Sequence, residues 1–240
     1  MTVLNRRSLL RLGGTAVGLG SVLATSPWWL RSVGAAPPAG REQRRLANRL
    51  ELWSAYSRKT HENLMARYAS ERSSSLLRED LVGGGSLAFI APATLVLRDD
   101  GATGSTTIIT PGRVAIEPND PSLPRRTLPA REDAPALRWL ADHLLACFAP
   151  GDGEALLAGA RVEVPRSSTP RLALMPLRES AARTVVRSMT LTFDQVGGAV
   201  VRIEIAEADG GLYVLRLSDH RQDLEDEALR RVVDGANLGG

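Results

Sequence analysis

The residues best able to do chemistry in this sequence are few and scattered: three histidines (His61, His143, His220), one cysteine (Cys147) and one lysine (Lys59). A catalytic metal would need a ligand spacing such as H-x-x-x-H or H-E-x-x-H, and none of the histidines belongs to one. His143 lies between Asp142 and Leu144 in a helical stretch, where a structural histidine is the simpler reading. A lone cysteine makes neither a disulfide framework nor a thiolate zinc site. Gly83-Gly84-Gly85-Ser86-Leu87-Ala88 invites comparison with a nucleophile elbow. G-x-S-x-G, however, needs a glycine where Ala88 stands and a helix where a strand follows, so these are glycines entering a strand. No Gly-x-x-x-x-Gly-Lys loop exists, and a single lysine argues against Schiff-base chemistry. Asp152-Gly153-Glu154 and Asp209-Gly210-Gly211 are too short for calcium loops and read as turns. The sequence therefore predicts no catalytic residue, no metal site and no cofactor, and points away from an enzyme.

The elements must then position something other than a reaction centre. The 240 residues are 43% hydrophobic, 24% charged and only 4% aromatic, which suits one ordinary domain with a sizeable core and excludes a disordered tail, a collagen-like rod or a multi-span membrane protein. The basic balance is local. Residues 1–35 hold Arg6, Arg7, Arg11 and Arg31 and no acid, and without them the chain has 26 basic against 27 acidic side chains, a net charge of −1. A nucleic-acid partner is not expected. Arg6-Arg7 precede an uncharged run from Leu12 to Leu30 diluted by Gly13, Gly14, Gly18, Gly20 and Pro27, and Val33-Gly34-Ala35 supplies a small-residue cleavage site. Residues 1–35 thus read as a twin-arginine-type signal peptide that sends the domain to the periplasm, the alternative being an uncleaved anchor. Residues 36–44 follow as a linker, and residues 45–240 as a single domain.

Leu46, Leu50 and Trp53 recur at helical spacing and predict a helix from Arg41 to Ser57. The period then falls to two through Leu64–Ala69, Ser86–Ile90, Thr94–Arg98, Thr106–Ile109 and Arg113–Ile116, read as successive antiparallel strands. Five prolines from Pro118 to Pro135 predict an exposed, mobile connection over Glu117–Pro135. Leu137, Leu140, Leu144, Leu145 and Phe148 give a second helix over Ala136–Phe148, with a further short turn at Gly153–Ala158. Alternation returns in Val185–Asp194, Ala199–Glu207 and Leu212–Leu217, a meander with one buried and one wet face, and a helix is expected over Asp223–Val233. About ten strands and three helices without strand-helix-strand alternation make an α+β fold, a strongly curved antiparallel sheet covered by helices.

From Leu46 to Leu217 this order resembles the outer-membrane lipoprotein carrier (LolA-like) family. The likeness rests on the stretch Ser75-Leu-Leu-Arg-Glu-Asp-Leu-Val-Gly-Gly-Gly-Ser-Leu-Ala-Phe-Ile-Ala-Pro-Ala-Thr-Leu95, which has a small-residue turn, a Gly-x-Leu strand, a proline corner and a further strand. It continues in the meander of Met189–Asp194, Ile203–Ile205 and Asp209–Tyr213. The resemblance implies an incomplete, half-open β-barrel whose hollow carries the acyl chains of a lipoprotein or other lipid toward the outer membrane without nucleotide hydrolysis. Its implied partners are an inner-membrane donor and an outer-membrane receptor, and a monomer is expected. The family's well-known carrier has an arginine before the corner proline that holds the lid helix; here Ala91 precedes Pro92. The usual carriers also line the hollow with aromatics, and residues 36–240 hold eight.

A sheet with one apolar face and too few residues to close needs a cover, and the helices around Leu50 and Leu140 are the candidates. The expected lipid-binding cavity is lined by Leu87, Phe89, Ala91, Leu95 and Leu97 of the sheet and by Leu140, Leu144 and Phe148 of the second helix. Plain core packing at these positions is the competing reading. In that case the chain is a non-transport sensor or accessory module of the cell envelope with a filled core.

Overall fold

In the computed structural model the described residues are 40–57, 63–74, 78–130, 133–222 and 224. The signal and most of the C-terminal helix expected from sequence lie outside them. Helix α1, Arg41–Ser57, runs as its periodicity predicts, with Trp53 buried and the Gly40 amide donating to Gln43 Oε1 at 2.8 Å across its first turn. Five antiparallel strands follow: β1 (Asn63–Ser73), β2 (Leu81–Ile90), β3 (Thr94–Asp99), β4 (Ser105–Thr110) and β5 (Arg113–Pro118).

The expected mobile connection from Glu117 to Pro135 is instead largely ordered. It holds a sixth strand, β6 (Arg126–Pro129), paired antiparallel with β5 from Arg113↔Pro129 to Ile116↔Arg126. The prolines sit where a missing N–H costs nothing: Pro118 ends β5, Pro129 ends the edge strand, and Pro135 occupies the first turn of helix α2, Pro135–Ala146. A short helix α3, Glu154–Leu157, then leads into two strands not anticipated from sequence, β7 (Ala160–Glu163) and β8 (Arg171–Pro176). After a 3-10 turn at Ala181–Thr184 come β9 (Val186–Phe193), β10 (Val200–Glu207) and β11 (Leu212–Gln222).

All eleven strands form one antiparallel sheet in the order β6-β5-β4-β3-β2-β1-β11-β10-β9-β8-β7. Its ends are β6 and β7, so the sheet is curved but unclosed, and β1 and β11 join its two halves at the centre. Register places like residues opposite one another. Leu64, Phe89, Leu95, Ile109 and Val114 form one cross-strand row on the inner face, and Leu215, Ile203, Leu191 and Leu172 continue the apolar surface across the other half. Helices α1 and α2 cover this inner face with Trp53, Trp139, Leu145 and Phe148 in a single buried cluster. Among the described residues no helix is long and apolar enough to cross a membrane.

The glycines of β2 have a specific neighbour. Tyr68 on β1 is paired with Gly85, and its hydroxyl crosses the glycine position to donate to the Asp99 carboxylate. A Cβ on Gly85 would lie 2.8 Å from the Tyr68 hydroxyl oxygen and inside the van der Waals envelope of the Arg98 carbonyl. We predict that Gly85→Ala lowers unfolding stability by about 1–3 kcal/mol through overpacking. Gly151→Ala, where nothing stands within 4 Å, should stay within about 0.5 kcal/mol of the parent. Urea midpoints measure both.

Candidate functional site

The inner face is built from strand alternation. In β2 and β3 the odd-numbered residues point inward, so Leu87, Phe89, Leu95 and Leu97 share it; Leu87, Phe89 and Leu95 are fully buried and Leu97 is half-buried. Ala91, also half-buried, packs from the corner between the strands, where the Ala91–Pro92 peptide is cis. From the opposite side α2 and its C-terminal extension bring Leu140, Leu144 and Phe148 to the same cluster, Phe148 buried and the two leucines half-buried. The eight residues expected from sequence therefore converge. That set omits the half of the surface contributed by Leu172, Leu174, Met189, Leu191 and Ile203, all inaccessible to solvent and part of the same cluster. A signal for β8 is present in Arg171-Leu-Ala-Leu-Met-Pro176, whose leucines alternate with partly exposed neighbours.

The cover is attached by hydrogen bonds at a few points. Trp53 Nε1 of α1 donates to the Cys147 carbonyl at 3.1 Å, and Ser57 Oγ donates to the Gly151 carbonyl at 3.0 Å, so α1 is tied to the segment that follows α2. Gly198, with φ +80°, lies against the Leu52 carbonyl of α1, where a side chain would collide. Trp139 Nε1 donates to the Gly159 carbonyl at 3.3 Å, which ties α2 to the entry of β7.

Beside this cover lies a cleft of about 480 Å³ between α2, α3 and residues 177–180, lined by Trp139, His143, Ala155, Leu177 and Ser180 among others. A second, of about 400 Å³, opens between Trp53 and residues 149–155. A third, of about 550 Å³, is on the other face of the sheet and polar, with Arg98, Asp99, Asp100, Thr106, Glu117 and Asn119.

Titratable groups inside the fold are held in their neutral forms. Burial pushes the Cys147 thiol well above its ordinary range and so keeps it protonated. Burial, and then the Asp99 carboxylate that accepts its hydrogen bond, raise the Tyr68 hydroxyl. His143 is buried, stacks on Trp139 with ring centroids 4.0 Å apart, and has Nδ1 2.8 Å from the Trp139 carbonyl. Burial lowers its pKa, against the opposing pull of that carbonyl, the Asp142 carboxylate and the Ala158 carbonyl. The neutral ring donates from Nδ1, and among the described residues its buried Nε2 has no partner in hydrogen-bonding geometry. Among the described residues no three His, Cys, Asp or Glu side chains are grouped to hold a metal. What the arrangement offers chemically is apolar surface.

No protein-family model and no curated protein matches the chain. Solved structures similar to it include a LolA-superfamily protein from Nitrosomonas europaea (13% identity, TM-score 0.38, 75% of this chain and 94% of that one). Another is the lipoprotein LppX of Mycobacterium tuberculosis (11%, 0.38, 76% and 98%). A third is the MucA/MucB complex of Pseudomonas aeruginosa (14%, 0.39, 75% of this chain and 59% of that one). The family named from the sequence thus stands among the solved structures similar to this chain.

Because His143 is neutral when folded and titrates near 6.5 when unfolded, its contribution to stability is complete above that pH. It is lost as pH falls below 6.5 toward the depressed folded value. The unfolding free energy should therefore decline on acidification from pH 7 to 5, by at most about 1.4 kcal/mol per pH unit from this one proton. His143→Phe should flatten that part of the profile while leaving the carboxylate titration at lower pH in place. Parallel urea titrations at half-unit pH steps read the difference.

Proposed function

We propose that this chain is an exported, periplasmic lipid carrier that holds the acyl chains of a lipoprotein or other lipid against the inner face of its sheet. In this reading Leu87, Phe89, Ala91, Leu95, Leu97, Leu140, Leu144 and Phe148 line the cavity. The observation that carries the reading is the way the sheet is covered. An apolar surface continuous across an unclosed eleven-stranded sheet is shielded by helices, so it becomes accessible when a helix moves and no strand has to unpair. Helix α2 is the cover that moves. It enters from edge strand β6 and leaves through Gly151 and Gly153, and its inward residues Leu140 and Leu144 keep part of their surface in solvent. The residues lying deepest, Leu87, Phe89 and Leu95, form the floor.

Burying an acyl chain releases about 0.8 kcal/mol per CH₂, enough to hold a lipid out of water. The same gain is offered by any equivalent cavity, so transfer from an inner-membrane donor to an outer-membrane receptor needs no nucleotide. The neutral state of Cys147, His143 and Tyr68 suits such an interior, because a charge buried beside an acyl chain would oppose its entry. With Ala91 before the corner proline, α2 has no arginine reaching from that corner, and its attachments are those of Trp139 and the α1 contacts.

Native mass spectrometry of the exported domain, followed by lipid extraction, tests this. The expected result is a stoichiometric acyl-bearing species that is lost in Leu140→Gln and Leu144→Gln, with circular dichroism unchanged, and retained in Val196→Gln, whose side chain is 92% exposed. A clean unliganded mass that takes up neither added phospholipid nor acylated peptide overturns the proposal and leaves the interior as core packing.

A further inference from the structure

The outer face of the sheet is not uniform. Across β7 to β11 it is polar: Arg161 pairs with Glu163, Arg202 with Glu204, and Arg216 with Glu71 of β1. Across β1 to β5 it carries instead a second apolar row, in which Met65, Ala88, Val96, Ile108 and Ala115 stand directly opposite one another strand by strand. An uncovered row on the outside of a curved sheet would be splayed and wet. Ala88 and Val96 are 0% exposed, Ala115 1% and Ile108 2%. Yet among the described residues the only apolar neighbour packed on this cluster is Met65, and α1, α2 and α3 belong to the inner cluster.

The chain itself offers a candidate for the cover, marked at one point. Asn63 is two residues before Met65 on β1, so by alternation it faces outward too. Its side chain is buried and holds Leu224 by both amide atoms: Nδ2 donates to the Leu224 carbonyl at 3.1 Å, and the Leu224 amide donates to Oδ1 at 2.8 Å. The chain leaving β11 is thereby fastened beside the outer row rather than beside the inner face. Sixteen residues remain beyond it, Glu225 to Gly240, and in them Ala228, Leu229, Val232 and Val233 recur at i, i+1, i+4 and i+5, one face of a helix. The nine of those residues within the helix expected from sequence, up to Val233, span about 14 Å. The row from β1 to β5 is about 19 Å long at the usual strand spacing. The acidic start of the segment, Glu225-Asp226-Glu227, would pass exposed Arg98 and Arg113, which flank the row on either side.

We propose that residues 225–240 dock across the outer face of β1 to β5, with Leu229, Val232 and Val233 on the row Met65–Ala88–Val96–Ile108–Ala115 and the Asn63–Leu224 pair as the hinge pin. The sheet is then shielded on both sides, by α1 and α2 inside and by the chain's own C-terminal segment outside. This inference stands whatever the inner face holds.

The test uses Ala115→Cys in the full chain as a probe of the row, with buried Cys147 as the internal control for folding. Maleimide labelling of the new thiol is expected to be slow in the full chain and to rise about tenfold or more when the chain stops after Leu224, or in the Leu229→Glu, Val233→Glu double variant, with Cys147 still unreactive. Equally slow labelling in the chain ending at Leu224 overturns the proposal: with a monomer by sedimentation the row is closed by its own neighbours, and with a dimer a second copy covers it. Where the shortened chain exposes Cys147 and so has unfolded, methyl NOEs in the intact protein decide. Cross-peaks from Leu229, Val232 or Val233 to Val96 and Ile108 support the docking, and their absence overturns it.

Discussion

The whole arrangement depends on one constraint: the eleven-stranded sheet does not close. Its order runs from β6 to β7 without a pairing between them, so the apolar inner face has no facing strands to bury against. Closure would have left an interior defined by the barrel alone. An open sheet has to recruit its cover from elsewhere in the chain. Here the cover is helical, delivered before the first strand by α1 and between the two edge strands by α2 and α3, and it meets the sheet in one buried cluster. The connection carrying α2 therefore runs from one edge of the sheet to the other, from β6 to β7, and that is why the helices between them lie over the inner face.

The same constraint explains where polar atoms are tolerated. Several polar groups within the fold are paired to the backbone or to a neighbouring side chain, as with the indoles of Trp53 and Trp139 on carbonyls and Tyr68 on Asp99. These bonds fix the helices and the centre of the sheet at a few points, and the remaining contact is apolar and non-directional. An interface of that kind tolerates a change of apolar occupant more readily than a hydrogen-bonded one, because no polar atom loses a partner when surfaces slide or separate. It is the physical basis of the proposal that an acyl chain enters the interior and that α2 moves. That helix is joined to the neighbouring segments by the indole bond of Trp139 to Gly159, by apolar packing and, at its C-terminal end, by the bonds from Trp53 and Ser57 of α1 to Cys147 and Gly151.

Several expectations from the residue pattern met the structure directly. Helix α1 has the bounds its Leu46, Leu50, Trp53 spacing implied, α2 differs by a residue or two at its ends, and the meander of β9, β10 and β11 follows its alternation. The differences have physical causes. Prolines between Glu117 and Pro135 indicated disorder because each lacks an N–H, yet an edge strand has one row of N–H groups that needs no partner, and β6 uses it. Strand β2 begins at Leu81, five residues before its periodic part, because Gly83, Gly84 and Gly85 carry no side chains in which a period could be read. Tyr68, across the ladder, supplies with its side chain the packing that Gly85 lacks. Short β7 has no periodic run long enough to read, and β8 is legible only in its alternating leucines.

Sequence alone determined which residues are apolar and with what period, and this was sufficient for the α+β class, most of the strands, both principal helices and the eight residues that converge inside. Those properties are local, set within five to fifteen residues by side-chain type and backbone geometry. Tertiary structure decided the rest. That β1 pairs with β11 and that β6 and β7 remain unpaired edges follow from registers between distant segments. Such pairings cost loop-closure entropy and are repaid only when many rows align together, so no single stretch of sequence encodes them.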